Sequence, residues 1–446
     1  MSETTSSSVR PSLAHLLITP ALAFAKVAAQ GGVLLVVALV AAMVWRNSSA
    51  GADYVAVWAT PVRIGIGAFS FELSLMMWIN DAAMAVFFLV VGAEIKRELV
   101  VGELRGLRRA MVPALAAVGG LVVPAGLYLL IASEHREGFG TPMATDIAFS
   151  LAAIRVLGKR VPDFVVKVLM GLAIIDDLGA IIVIAVFYGG DLHRESLALG
   201  ACLAALLIAM NLFGIWRTTP YVVVGVPLWA ALHHGGIHPT IAGVIVGLCI
   251  PTRGIASVDS VIDEARGLMA LADAEVAKLK DGDVASVFSS LERRLEQHKS
   301  PLERLVESLN PLISFVILPV FALANGGVNL DGMSLSTLAA PVSLGVIVGL
   351  VVGKQIGIFG VLLACVKSGL MPLPTGVRLP HLWGMSILAG IGFTMSLFVA
   401  ALAFEDGSLL HNEAKAGILV GSTLALVSGL LVLRFVRETP VVAAET

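Results

Sequence analysis

The run from Val168 to Tyr188 is uncharged from end to end except for two adjacent aspartates near its middle, Asp176 and Asp177. As a helix it would be roughly 30 Å long, the thickness of the hydrocarbon core of a bilayer. In lipid every backbone N–H and C=O must be satisfied within the protein, which restricts spanning structures to helices and closed barrels. A carboxylate at that depth costs about 2.5–3.5 kcal/mol even on the lenient insertion scale. A chain that places two side by side is using them.

The remaining composition agrees. Only 14% of the 446 residues are charged and 57% are hydrophobic, against about 25% charged in a soluble domain. The net charge of −2 weighs against nucleic acid as a partner. Cys202, Cys249 and Cys365 lie in or beside apolar segments without metal-like spacing, and read as small packing residues. Ala21-Leu22-Ala23 vaguely resembles a signal-peptidase site, but only Arg10 precedes it and the stronger apolar run, Val33 to Trp45, follows. An uncleaved first span is therefore expected.

Hydropathy marks about twelve apolar segments. They centre near Val37, Phe87, Leu121, Ile147, Asp177, Leu206, Val226, Val244, Leu318, Val348, Ile391 and Leu424. Basic residues concentrate after the even-numbered segments, as in Lys96, Arg97, Arg105, Arg108 and Arg109 after the second and Arg155, Lys159 and Arg160 after the fourth. That bias places both termini in the cytoplasm. The expected organisation is a cytoplasmic N-terminal segment (1–28), eight spans (29–250), a cytoplasmic helical insertion (251–310), four spans (311–434) and a cytoplasmic tail (435–446). Within the insertion, Val258, Val261, Ile262, Ala265 and Leu268 and then Val284, Val287, Phe288, Leu291 and Leu295 repeat at helical spacing around Asp281-Gly282-Asp283. They predict a solvated helical hairpin, with a regulatory or partner-binding role as the alternative.

Asp81, Asp146, the Asp176-Asp177 pair and Lys354 are the intramembrane polar groups that need partners. Neighbours on a helix point about 100° apart, so Asp176 and Asp177 cannot present the same face. Lys354, at the end of a Gly- and Val-rich run, is the obvious counter-charge. The fourth segment (Pro142 to Ser150) and the eleventh (Gly390 to Phe398) carry Thr and Ser where a helix would be interrupted. Unwound backbone at membrane depth is tolerated where it is buried or lines a cavity, and corresponding broken spans mark a transport site near the midplane.

The runs Ala144-Thr145-Asp146-Ile147-Ala148-Phe149, Ala173-Ile174-Ile175-Asp176-Asp177-Leu178-Gly179-Ala180 and Gly390-Ile391-Gly392-Phe393-Thr394-Met395-Ser396 resemble the NhaA sodium/proton antiporters. So do Trp78-Ile79-Asn80-Asp81, Glu94-Ile95-Lys96-Arg97-Glu98-Leu99 and Phe321-Ala322-Leu323-Ala324-Asn325, and the resemblance extends from about Pro11 to Arg437. It implies an all-α integral membrane protein of about twelve transmembrane helices. Its inverted-repeat architecture, with the interrupted fourth and eleventh helices crossing, comes from the family and not from the residues. Asp177 becomes the principal cation and proton carboxylate and Asp176 its partner, able to pair with Lys354. Thr145 joins them in binding. Asp146 and Lys354 compensate facing helix ends, with Lys354 or Asp176 carrying a second proton.

Exchange then follows from competition. A buried carboxylate beside another has raised proton affinity, and sodium, like other hard cations, takes oxygen ligands. The resemblance implies a non-enzymatic antiporter of the bacterial inner membrane. It exchanges sodium or lithium for protons, electrogenically, with more than one proton per sodium, and serves pH and sodium homeostasis. It needs no cofactor; its partners are the ions and membrane lipid. The family tends to dimerise, but no residue marks a homodimer interface. Glu94 and Glu98 read either as an interfacial charge cluster or, by the resemblance, as part of a pH-regulating cytoplasmic funnel. His238 reads as a capping histidine or as a pH-responsive group on the outer side.

Plainer readings stand beside these. Asp81 can be a helix-packing partner, Asp146 a dipole-compensating group and Lys354 half of a structural salt bridge. The 253–310 connection is longer than the family's, which leaves pH regulation open, with Glu303 and Glu307 as local candidates. An intramembrane aspartyl protease also needs two aspartates, but from separate helices, and its Gly-x-Gly-Asp pattern is absent. A passive cation channel could use the same carboxylates without proton exchange.

Overall fold

The computed structural model describes residues 31–66, 69–102, 106–252, 300–330 and 335–436. The N-terminal segment 1–28 and the helical hairpin expected within 253–299 lie outside the described residues. The apolar stretches form helices. α1 (Gly31–Arg46) is separated from α2 (Gly51–Ala59) by a 114° bend. A hairpin of β1 (Pro61–Ile66) and β2 (Phe69–Ser74) follows, then α3 (Leu75–Val100) and α4 (Leu107–Ile131). A 3₁₀ stretch, Arg136–Met143, leads to α5 (Ile147–Val156), α6 (Asp163–Phe187) and α7 (Arg194–Leu212). α8 (Thr218–Gly235) and α9 (Thr240–Cys249) come next. From residue 301 onward lie α10 (Pro301–Asn325), whose first ten residues fall within the expected insertion, α11 (Pro341–Lys367), α12 (Leu379–Leu388), α13 (Phe393–Ala403) and α14 (Leu409–Phe435).

By length and composition, 7 of the described helices can cross a membrane, or 9 if each bent pair is one span. The expected segment centres lie on helices, except Ile391, which falls in the break between α12 and α13. The hairpin departs from an all-helical expectation, and its residues explain it. Val62 and Ile64 alternate with Arg63, and Phe71 and Leu73 with Ser70 and Glu72, the period-two pattern of a strand. Arg63 lies opposite Glu72 in register and donates to Ser70 Oγ at 2.8 and 3.1 Å. Trp78 Nε1 donates to the Val62 carbonyl at 2.9 Å, tying the hairpin to α3.

The chain divides into two compact units: Met1–Thr60, Val118–Ala173 and Asn310–Thr446 form one, and Pro61–Ala117 and Ile174–Leu309 the other. Lipid offers no hydrophobic force between helices, so close packing depends on small residues. In the first unit, α14 packs along α11 and α12. A Cβ on Gly417 would lie 2.7 Å from the Ser343 carbonyl oxygen. α4 and α11 meet backbone to backbone, where a Cβ on Gly119 or Gly357 would collide with the other's carbonyl. In the second unit, Gly243 and Gly247, one turn apart on α9, press against α3, and a Cβ on either would strike the Ala85 or Leu89 carbonyl.

Three of the long helices are wound more widely in places. α3 has a π turn at Trp78–Ala83, which holds Asp81. α10 has one at Ile313–Ile317. α11 has two, Gly349–Gly353 and Gln355–Phe359, on either side of Lys354. Such turns occur often at functional sites.

Candidate functional site

The first unit holds two chain breaks that complete each other. Before α5 the backbone is extended at Ala144 (φ −76, ψ 142) and Asp146 (φ −90, ψ 99), after Pro142 in the 3₁₀ stretch. Between α12 and α13 the chain unwinds and turns through 44°. Gly390 makes this possible locally, because a Cβ there would collide with the Leu350 carbonyl of α11.

Broken helices expose amides and carbonyls that lipid cannot satisfy. The carbonyls at the end of α12 are taken by the fourth segment. Asp146 N donates to Ile391 O at 2.7 Å, Thr145 Oγ1 to Ala389 O at 2.8 Å and Ser150 Oγ to Leu388 O at 2.8 Å. The amides at the start of α13 go the other way. Asp146 Oδ2 accepts from Thr394 N at 3.1 Å and from the Thr394 hydroxyl. Its Oδ1 accepts from Phe149 N at 3.1 Å, so one carboxylate caps both α5 and α13. Ser422 Oγ, on α14, accepts from Gly392 N and Phe393 N at 3.2 Å each.

Lys354 joins the same network. Its side chain is fully buried, and Nζ donates to Thr145 Oγ1 at 2.9 Å. Thr145 therefore relays from the Lys354 amine to the Ala389 carbonyl. Helix N-termini carry about half a positive charge and C-termini half a negative one. Two N-termini converge on Asp146, while Lys354 approaches the C-terminal end of α12 through Thr145. The structure thus brings Thr145, Asp146 and Lys354 together.

Asp176 and Asp177 lie near the middle of α6, a 25-residue helix, and are 1% and 3% exposed. Their part of α6 belongs to the second unit. So do Glu94, Glu98 and His238, which are dispersed. Glu94 is partly buried on α3, and Glu98 lies 3.6 Å from Arg97. Between them Lys96 Nζ donates to Ile250 O at 2.6 Å, capping the end of α9. His238 sits in the turn between α8 and α9, with Nδ1 2.8 Å from Thr240 Oγ1. Its Nε2 is 3.7 Å from Asp81 Oδ1, and His233 Nδ1 is 3.5 Å from Asp81 Oδ2. Burial pushes His238 down to about 4, against the pull of the Asp81 carboxylate. Asp81 therefore has the surroundings of a packing partner shared by two histidines.

Two participants escaped the sequence reading: Ser422 and His233. A lone hydroxyl in an apolar helix is a weak signal, because Ser serves equally as a small packing residue. The available clue for Ser422 was its place beside Gly421, where helices approach closely. Among the described residues, no three His, Cys, Asp or Glu side chains are grouped to hold a resident metal ion.

Comparison with known proteins adds an independent finding. Residues 22–433 match the family described as Na+/H+ antiporter 1. The chain is 42% identical over 425 residues to the Na(+)/H(+) antiporter NhaA of Oleidesulfovibrio alaskensis, covering 94% of each chain. It is 44% identical to the protein of the same name from Anaeromyxobacter sp., covering 94% of this chain and 91% of the relative. Another, from Rhodospirillum rubrum, is also 44% identical, with 92% and 95% covered.

Proposed function

Because the chain belongs to the Na+/H+ antiporter 1 family, we propose that it exchanges sodium, or lithium, for protons across the bacterial inner membrane. The observation that carries this reading is the pair of mutually capped breaks, with Asp146 at two helix N-termini and buried Lys354 bonded through Thr145 to the end of α12. A chain that only packed helices would have no reason to unwind two of them and then cap the exposed ends of each with side chains of the other. Twelve spans, with the fourth and eleventh crossing at their breaks and both termini cytoplasmic, is the architecture proposed to hold this site.

In this reading Asp177 is the exchanging carboxylate and Asp176 its partner. Both are buried on an apolar helix. Sodium displaces the proton by offering a charge that carboxylate and hydroxyl oxygens can coordinate, and Thr145 is assigned as a further oxygen donor. A second titrating group, Asp176 or Lys354, makes more than one proton move per sodium, so the exchange is electrogenic. Glu94 and Glu98 form the regulatory cluster of the proposal. His238, in the turn between α8 and α9, is the proposal's further pH-responsive group.

Purified protein in acid-loaded vesicles with a pH dye tests the reading. External sodium or lithium should dissipate the gradient, and Asp177→Asn should abolish that response. A gradient unchanged by sodium between about pH 6.5 and 9 would refute antiport. Sodium flux without proton movement would identify a passive channel instead.

A further inference from the structure

We infer that Ser422 is a positioning residue for ion exchange, its hydroxyl oxygen fixing the break between α12 and α13 to α14. The inference rests on the exchange reading above. Three successive amides open α13, those of Gly392, Phe393 and Thr394. Asp146 takes the third, together with the Thr394 hydroxyl. Ser422 Oγ takes the first two, each at 3.2 Å. The serine is fully buried, so no water stands in readily for it.

The position of Ser422 is itself set by the helix that carries Lys354. Gly421, its neighbour, lies against α11, where an added Cβ would meet Leu350 Cδ1 at 3.2 Å and Ile347 Cα at 3.3 Å. Gly417, one turn earlier, lies against Ser343. Leu350 of that same α11 segment also backs the break, its carbonyl filling the space a Cβ on Gly390 would need. α14 is thus seated on α11 by two glycines and hydrogen-bonds to the break through the Ser422 hydroxyl. Through this seat Ser422 holds the break, with its Asp146-bound Thr394, in register with the helix that presents Lys354 to Thr145.

This role makes the oxygen at position 422 matter beyond packing. Removing it leaves two buried amides that must turn away, moving Thr394 relative to Asp146. The loss should appear in ion affinity and in the pH profile rather than only in protein yield. The test compares wild type, Ser422→Ala, Ser422→Cys, which keeps volume but offers a poor acceptor, and Ser422→Thr, which keeps the hydroxyl. Each is purified, confirmed folded by gel filtration, and assayed for sodium-driven proton exchange in vesicles.

Ser422→Ala and Ser422→Cys should raise the apparent KM for sodium about tenfold and shift the pH profile, with the saturating rate per folded protein within about twofold. Ser422→Thr should stay near wild type. If Ser422→Ala does not fold, the Cys and Thr variants alone decide. A Cys variant with wild-type KM and pH profile overturns the inference while leaving the exchange reading intact. So does a Thr variant as impaired as the Cys variant, or a fall in rate alone at unchanged KM. Wild-type vesicles that show no sodium-driven exchange would refute the underlying reading instead.

Discussion

The bond between the Thr394 hydroxyl and Asp146 is the place where the two breaks are joined by charge, and its worth can be measured by a double-mutant cycle. Thr394→Val keeps the side-chain volume and removes one donor to a buried carboxylate. Hydrogen bonds to charged groups contribute about 1.5–3 kcal/mol, and Asp146 retains two backbone amides, so the expected cost is about 2 kcal/mol. Asp146→Asn removes the charge facing the N-termini of α5 and α13, each interaction being worth about 0.3–1 kcal/mol. It also turns an NH₂ group toward an amide that formerly had an acceptor, for a combined cost of about 3 kcal/mol. In the Asn background the Thr394 hydroxyl meets a neutral acceptor, so Thr394→Val should cost only about 1 kcal/mol there. The assay is unfolding of the purified protein in mixed micelles titrated with a denaturing detergent, followed by tryptophan fluorescence. Additivity within about 0.5 kcal/mol would refute the coupling, and an Asn variant as stable as wild type would refute the double-capping role altogether.

Two further outcomes are expected. Thr145→Val leaves the Lys354 amine and the Ala389 carbonyl each without the partner that joins them; it should lower stability by about 2 kcal/mol and suppress exchange, whereas Thr145→Ser should restore both. Wild-type behaviour of the Val variant would show that the relay is dispensable. For His238 the folded state favours the neutral ring, with a value of about 4 against about 6.5 when unfolded. The associated stability is therefore complete above about pH 6.5 and is lost as pH falls toward 4, by up to about 3 kcal/mol. His238→Gln should flatten that acid limb in unfolding titrations between pH 7 and 4, and an unchanged slope would remove His238 as its source.

How far the molecule was legible in its sequence varies by residue, and the reason is contrast. Asp176, Asp177 and Lys354 stand out because a charge in an apolar run has no cheap explanation. The breaks around Asp146 and Ile391 were visible because Pro142, Gly390 and Gly392 accompany hydroxyls where a helix should continue. The hairpin from Pro61 to Ser74 was not, since its two six-residue strands are short beside the long apolar runs that dominate the hydropathy. Ser150 stood only as one of the hydroxyls of the fourth segment's break and Ser422 was not singled out, and only the geometry reveals which amides and carbonyls they serve. His233 was legible as a residue but not as a partner, because its link to Asp81 joins α8 to the π turn of α3.

The two π turns beside Lys354 give α11 an unusual mutational grammar. Each wide turn absorbs about one residue beyond the α-helical count, and one residue is about 100° of rotation. Deleting a single residue from Gly349–Gly353 would let that turn relax to an ordinary helix. Because the extra residue is what the wide turn takes up, the face seated against α14 and the face that presents Lys354 and Gly357 would stay in register. A deletion within Gln355–Phe359 would be taken up in the same way. A one-residue deletion elsewhere in α11 has no wide turn to take it up and would rotate the two parts by about 100°, so these turns are where the helix can change length without changing direction.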